Sequence, residues 1–157
     1  MTHNETINLS SALKSVDGIE SFKVNYAIEK NISMLEKEMK IYQKQQREIN
    51  EITKDFNNER IKLCEELSKD KDGNPVKSED GSIFIFTDAK QKEFDLKFEK
   101  LKVKHKKAID SQTKKKEEFV NFLETDSKFK PYNISIEDIP ENISTKNMKA
   151  IFPLIKE

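Results

Sequence analysis

The sequence has 157 residues, of which 37% are charged and only 34% are hydrophobic, with a mean hydropathy of -0.82. Lys and Arg together number 29 and balance 29 Asp and Glu residues, so the zero net charge disfavours nucleic acid as a partner of the whole chain. No stretch approaches the roughly 20 apolar residues of a membrane-spanning helix, and the start MTHNETINLS lacks the basic-then-apolar order of a secretory signal. We therefore expect one intracellular domain (residues 1–157) with a small core and no membrane partner.

Residues 1–20 predict a short amphipathic helix that ends before Gly18. Its apolar positions are Ile7, Leu9, Ala12, Leu13 and Val16. A helix of this length needs cover for its apolar face, and we expect the C-terminal segment to supply it.

Two long stretches, 21–70 and 88–126, contain neither Gly nor Pro and are rich in residues that favour helices. Each carries a heptad seam. The first seam consists of Ile28, Leu35, Tyr42, Ile49, Phe56 and Leu63, and a second, partly polar row follows four residues after each of them. The second seam consists of Phe94, Phe98, Leu101, His105, Ala108, Gln112, Lys115, Phe119 and Phe122. Folding the chain back near Asp80 aligns apolar with apolar positions and puts Phe56 beside His105. The sequence therefore predicts a mainly α fold, a long antiparallel coiled-coil hairpin; an intermolecular assembly of the same heptads is the alternative.

The segment between the two helices, 71–87, predicts a small β-hairpin at the tip of the coiled coil. Gly73 and Pro75 end the first helix, and Glu79-Asp80-Gly81 provides a turn. We expect residues 75–78 to pair with the β-prone run 83–86. A two-stranded hairpin alone is marginal in water, so its apolar side chains must cover the helix ends or a partner.

The C-terminal segment, 127–157, predicts one short strand and one short helix. Residues 132–136 alternate between polar and apolar side chains, and Ser144 is placed to cap a helix over Met148, Ile151 and Phe152. Together with residues 1–20, this segment is expected to form a small α/β base.

The order of these parts carries a family resemblance. Its residues are Leu9 and Leu13, the run 22–28, Asn31-Ile32, Leu35-Glu36, the tip runs 72–76 and 81–84, and the tail 134–140. The chain resembles a family of small bacteriophage and prophage proteins of unknown function, mainly from Gram-positive hosts. Its silhouette is also similar to prefoldin-type chaperone subunits, which is a likeness of fold alone. The resemblance implies a viral protein in the cytoplasm of a bacterial host, with association with the virion as an alternative.

Sites for chemistry are scarce in this sequence. Asp70, Asp72 and Asn74 begin like a calcium loop, but Pro75 stands where the loop requires Gly, so we predict an ordinary turn and no metal. Cys64 is the single cysteine, which excludes an intramolecular disulfide and a thiolate metal cluster. The predicted alignment keeps Cys64 about two helical turns from His105, so the two should not form a nucleophile and base. We expect no catalytic residue, no cofactor and no enzymatic activity.

The function we expect is protein binding. The predicted contact residues are the apolar tip and, as a second choice, a lysine-rich surface of the second helix: Ile83, Phe84, Ile85 and Phe86, then Lys102, Lys104, Lys106 and Lys107. A minor structural or assembly-chaperone role fits this reading. One alternative is inhibition of a host or defence factor, such as a nuclease, through protein binding. A second is nucleic-acid binding by the basic helix, although acidic residues of the facing helix are expected to pair with part of that surface.

Overall fold

The computed structural model describes residues 1–156 and confirms that the chain is mainly helical. The α-helices among these residues are α1 His3–Lys14, α2 Phe22–Glu51, α3 Lys54–Leu67, α4 Asp88–Lys104, α5 Lys106–Leu123 and α6 Thr145–Ile151. Two short strands, β1 Ile134–Ser135 and β2 Ile155–Lys156, and two 3-10 turns, Ile136–Asp138 and Phe152–Leu154, complete the elements.

The described residues form two compact units. Unit 1 contains residues 1–46 together with the described residues from 118 onward, and unit 2 is the continuous segment Arg47–Glu117. The main hydrophobic core lies in unit 1, where Leu13, Val24, Leu35, Ile151 and Leu154 are almost completely buried. Ten of the fifteen buried hydrophobic residues that the structure describes belong to this core.

The first helix begins earlier than its apolar pattern alone predicts, because Thr2 and Glu5 form a capping box. The Thr2 hydroxyl accepts from the Glu5 backbone N–H at 3.1 Å, and the Glu5 carboxylate accepts from the Thr2 N–H at 2.7 Å. Both bonds satisfy backbone donors that the first helical turn leaves open. α1 then packs against α6 within unit 1.

The predicted C-terminal helix is present, and its cap is the predicted one. Ser144 accepts from the backbone N–H of Asn147 at 3.2 Å at the start of α6. The predicted strand is also present but shorter, as β1, and its neighbour β2 was not expected. β1 and β2 pair in parallel, with Ile134 opposite Ile155.

The prediction of a regular antiparallel hairpin at residues 71–87 is wrong, because this segment forms no continuous strand ladder. The sheet found among the described residues is the parallel β1–β2 pair. The segment between α3 and α4 contains two isolated antiparallel bridges instead, Lys69–Pro75 and Lys77–Phe84. The side chains of Asp70, Ser78 and Asp80 accept hydrogen bonds from nearby backbone N–H groups, and these local bonds compete with a longer ladder.

The two long predicted helices are each interrupted once. The stretch 21–70 is divided between α2 and α3 at residues 52–53, and the stretch 88–126 is divided between α4 and α5 at His105. At the first break the Gln112 amide donates to the Ile49 carbonyl at 3.2 Å and to the Thr53 hydroxyl at 2.8 Å. The Ile49 carbonyl, which the break deprives of its usual helical bond, therefore accepts a hydrogen bond from a side chain instead.

Within unit 2, α3 and α4 pack against each other and run in opposite directions. Phe56 contacts the ring of His105 at 5.8 Å between centroids, as predicted, and Glu66 pairs with Lys97 at 3.7 Å. The partners follow in reverse order along the two helices, which defines the antiparallel arrangement.

Candidate functional site

The tip, which we define as residues 68–87, is a small arrangement of three backbone segments in unit 2. The Val76 N–H donates to the Ser68 carbonyl at 2.9 Å, and the Ile85 N–H donates to the Val76 carbonyl at 3.0 Å. The Ser78 N–H donates to the Ile83 carbonyl at 2.8 Å. The spatial order of the segments is therefore 68–70, 74–78 and 83–85, so the pairing predicted between 75–78 and 83–86 is present in reduced form.

The turn of the tip is fixed by the carboxylate of Asp80. It accepts from the Ser78 hydroxyl at 2.7 Å, from the Ser82 backbone N–H at 3.0 Å and from the Ser82 hydroxyl at 2.8 Å. These bonds, the one from Ser78 first, lower the pKa of Asp80 to about 2 because they stabilise the charged form. Gly81 follows with a φ of +71°, a conformation that other residues rarely adopt.

The segment that begins like a calcium loop is a hydrogen-bonded turn. The Asp70 carboxylate accepts from the backbone N–H groups of Asp72 and Asn74, each at 2.9 Å. One carboxylate is thus committed to the chain's own backbone. Nowhere in residues 1–156 do three or more His, Cys, Asp or Glu side chains gather in a metal-binding group.

The four apolar residues predicted as a contact surface lie in two different environments. Phe84 is half-buried beneath Lys77, whose Nζ lies 4.7 Å from the ring centroid, and Phe86 stacks on Phe94 at 5.1 Å. By contrast, Ile83 is 65% exposed and Ile85 is 50% exposed. Alternation along an extended segment places these two isoleucines on the opposite face from the phenylalanines.

A row of aromatic rings attaches the tip to the helices of unit 2. Phe94 stacks on Phe98 at 5.3 Å, and Phe98 lies 6.0 Å from Phe56 of α3. With the Phe86 contact, the row runs from the tip through α4 to α3. Phe86 is therefore a packing residue, whereas Ile83 and Ile85 remain available for contact.

Most of the predicted lysine surface is engaged in ion pairs. The pairs, each 2.7 Å long, are Lys102 with Glu99, Lys104 with Glu59, and Lys106 with Asp110. Lys102 also lies 4.7 Å above the ring of Phe98. The fourth predicted residue, Lys107, is exposed, and no ion pair joins it to another described residue. Among the described residues, the expected pairing with the facing helix is present at Lys104 alone of these four lysines, because Lys102 and Lys106 pair with acidic residues of their own helices.

Cys64 and His105 occupy environments that do not resemble a nucleophile and its base. The Cys64 side chain is buried, and burial raises the pKa of its thiol, whereas an activated thiol has a lowered pKa. His105 Nε2 lies 3.2 Å from the carboxylate of Glu59. The hydrogen bond from Lys104 lowers the pKa of that carboxyl, so Glu59 is a charged partner for both basic side chains.

Unit 1 contains a polar contact between α1 and α2. His3 Nδ1 lies 2.6 Å from the Tyr42 hydroxyl, and the His3 ring stacks on Phe122 at 4.2 Å. Burial, with a contribution from Glu38, raises the pKa of Tyr42 to about 12. The phenol is therefore neutral at physiological pH and holds the start of α1 by a hydrogen bond.

Sequence reasoning missed an exposed aromatic surface in unit 1. Tyr26 and Tyr132 meet edge to face at 5.8 Å, and Lys30 Nζ lies within 6 Å of both ring centroids, at 5.9 and 5.4 Å. Phe22, one helical turn before Tyr26, is 85% exposed. The spacing of four between Phe22, Tyr26 and Lys30 was visible in the sequence, but the approach of Tyr132 was not.

Comparison with protein-family models, curated proteins and solved structures found no match to this chain. The resemblance to phage proteins therefore stays a prediction. None of the helices within residues 1–156 combines the length and apolar character that crossing a membrane requires.

Proposed function

We propose that this chain is a non-enzymatic, phage-encoded protein-interaction module that contacts its partner through the tip, in a minor structural or assembly-chaperone role. The observation that carries the proposal is the exposure of Ile83 and Ile85 on a backbone held in place by hydrogen bonds. Val76, which pairs with Ile85, is 36% exposed and extends the same apolar face.

The rigidity of the tip is what makes these residues suited to binding. Asp80 fixes the turn, and the Phe86–Phe94 stack fixes the strand that follows. A partner that covers Ile83 and Ile85 removes apolar surface from water, which is favourable, and it does not have to order a flexible loop first. Exposed apolar side chains on a preorganised backbone are typical of contact sites.

The proposal includes a finer architecture, in which the seams of the long helices form an antiparallel coiled coil that presents the tip. The heptad spacing supports it, as does the contact of Phe56 with His105 in unit 2. The interruptions at Thr53 and His105 coincide with polar seam positions, and polar residues in a seam can select one register.

The charge pattern bears on the choice among partners. The ion pairs of Lys102, Lys104 and Lys106 leave these side chains less able to replace counterions along a phosphate backbone. They weigh against the alternative of nucleic-acid binding by the second helix. Inhibition of a host factor through protein binding uses the same apolar tip, and the identity of the captured partner separates it from a virion role.

The experiment is affinity purification of the tagged protein from phage-infected host cells after nuclease treatment, followed by mass spectrometry. The test variant carries Ile83→Ser and Ile85→Ser. The matched control carries Ile41→Ser and Ile136→Ser, which remove two isoleucines that are 54% and 67% exposed outside the tip.

We expect the wild type and the control to recover the same partner and the tip variant to lose it while its helical circular dichroism stays unchanged. Virion proteins in the recovered fraction would support the assembly role, and a host enzyme would support the inhibitor role. Equal recovery by all three proteins would refute the tip as the contact site.

A further inference from the structure

The outer edge of the tip has backbone groups that point away from the protein. Lys77 and Phe84 form an antiparallel bridge flanked by the Val76–Ile85 and Ser78–Ile83 hydrogen bonds. In a bridge of this type, the N–H and C=O groups of the bridged residues point away from each other's strand. Phe84 therefore directs its N–H and C=O outward, and within residues 1–156 neither group forms a hydrogen bond.

The other outer segment, 68–70, has a bridge of the same type at Lys69, but polar residues, Ser68 and Asp70, flank that position, whereas the exposed Ile83 and Ile85 flank Phe84. The central segment, 74–78, is flanked by 68–70 on one side through the Lys69–Pro75 bridge and by 83–85 on the other. The segments 68–70 and 83–85 are therefore the two outer ones, and the exposed apolar side chains lie on the segment 83–85. An unpaired extended segment next to exposed apolar side chains is a template for another strand.

We propose that this edge binds an extended segment of a partner protein by β-strand addition, an inference that rests on the proposed role of the tip in protein binding. The added strand bonds to the N–H and C=O of Phe84 and places alternate side chains beside Ile83 and Ile85. Main-chain hydrogen bonds supply affinity in this mode of recognition, and alternate side chains supply specificity.

The charges at the ends of the edge define the partner further. Asp80 lies in the turn before this segment and Asp88, the first residue of α4, follows it, so an exposed acidic side chain is present near each end. A second copy of this chain, paired antiparallel about Phe84, brings the acidic turn of one copy toward the acidic start of α4 of the other copy at both ends, and like charges that come close repel each other. The occupant that fits is a different chain, with alternating apolar residues flanked by Lys or Arg.

The test uses the full chain and a random-peptide library. Peptides selected on the wild-type protein are labelled with a fluorophore, and their affinities are measured for the wild type, Phe84→Pro and Phe84→Ala. Both variants lose the ring, but only Pro removes the outward N–H, which has no bond to any described residue of the protein itself. We expect Phe84→Pro to bind about tenfold more weakly than Phe84→Ala, the effect of one lost hydrogen bond.

Amide hydrogen exchange of Phe84 in the wild-type protein gives an independent readout that does not depend on the folding of any variant. Protection of this amide by the peptide, together with an alternating apolar pattern and basic ends in the selected sequences, supports strand addition. Failure to select any peptide, equal binding by both variants, or an unprotected Phe84 amide overturns it. If the Ile83→Ser/Ile85→Ser variant loses peptide binding, but the Phe84 amide is unprotected and both Phe84 variants bind equally, strand addition is overturned. The binding role of the tip then still stands.

Discussion

The break between α2 and α3 makes a sharp prediction about Gln112. Its amide donates to the Ile49 carbonyl at 3.2 Å and to the Thr53 hydroxyl at 2.8 Å, and both Ile49 and Thr53 are buried. Gln112→Ala removes the donor without adding bulk. The carbonyl freed by the break is then left in a site that excludes water.

The size of the effect follows from the cost of an unsatisfied buried polar group, which is about 1–3 kcal/mol. The Thr53 hydroxyl keeps a longer bond from the Asn57 amide at 3.3 Å, so the loss falls mainly on the Ile49 carbonyl. For a chain of this size, each kcal/mol lowers the melting temperature by about 2–4 °C.

The assay is urea denaturation followed by circular dichroism, with Gln91→Ala as the matched control. The Gln91 amide also donates to a side chain, that of Asp95 at 2.9 Å, but both residues are exposed. Both variants gain the same helix propensity, so their difference isolates the buried bonds. The control should change the free energy of unfolding by less than about 0.5 kcal/mol. Equal effects of the two substitutions would refute the role assigned to Gln112.

Three further predictions concern the core, the tip and the cysteine. Leu35→Ala should lower the free energy of unfolding by about 2–5 kcal/mol because Leu35 is fully buried, whereas Leu96→Ala, at an exposed position, should change it little; similar losses would contradict the assigned core. Asp80 should titrate by NMR near pH 2; because its folded pKa lies below the ordinary value of 3.8, its stabilising bonds are present above that pH and are lost as the pH falls through about 2. Ser78→Ala should raise this pKa, and an unchanged value would show that the Ser78 bond is not formed in solution. Cys64 should react with a thiol reagent far more slowly in the native protein than in urea, because the side chain is buried and its pKa is raised; equal rates would show that the site is open.

Local signals in the sequence predicted the helical elements well. Ser144 caps α6 as expected, because a cap and the helix it starts are separated by only a few residues. The pairing of 75–78 with 83–86 was also predictable in register, since a turn with Asp80 and Gly81 sets which residues face each other.

Long-range contacts account for what the sequence did not predict. No Gly or Pro near Thr53 indicates the helix break in the sequence. The break is stabilised by a hydrogen bond from the Gln112 amide, 59 residues away. β2 pairs in parallel with β1, and such pairing has no turn that marks it in the sequence.

Which residues of the tip are buried and which are exposed could not be predicted for the same reason. Alternation in the run 83–86 showed that two residues lie on each face, but it did not show which face is covered. The stack of Phe86 on Phe94 decides this, and it depends on where α4 begins.

The chain order of the two units has a consequence for how the protein forms during synthesis. Unit 2 is one uninterrupted segment, so all of its residues have been made once Glu117 has been added. Unit 1 needs the first 46 residues and also Ile151 and Leu154, which are completely buried in its core. In the nascent N-terminal part, Leu13, Val24 and Leu35 therefore lack the cover of Ile151 and Leu154 until these two residues have been synthesised. During this interval the apolar face of α1 is a natural substrate for the chaperones that bind growing chains.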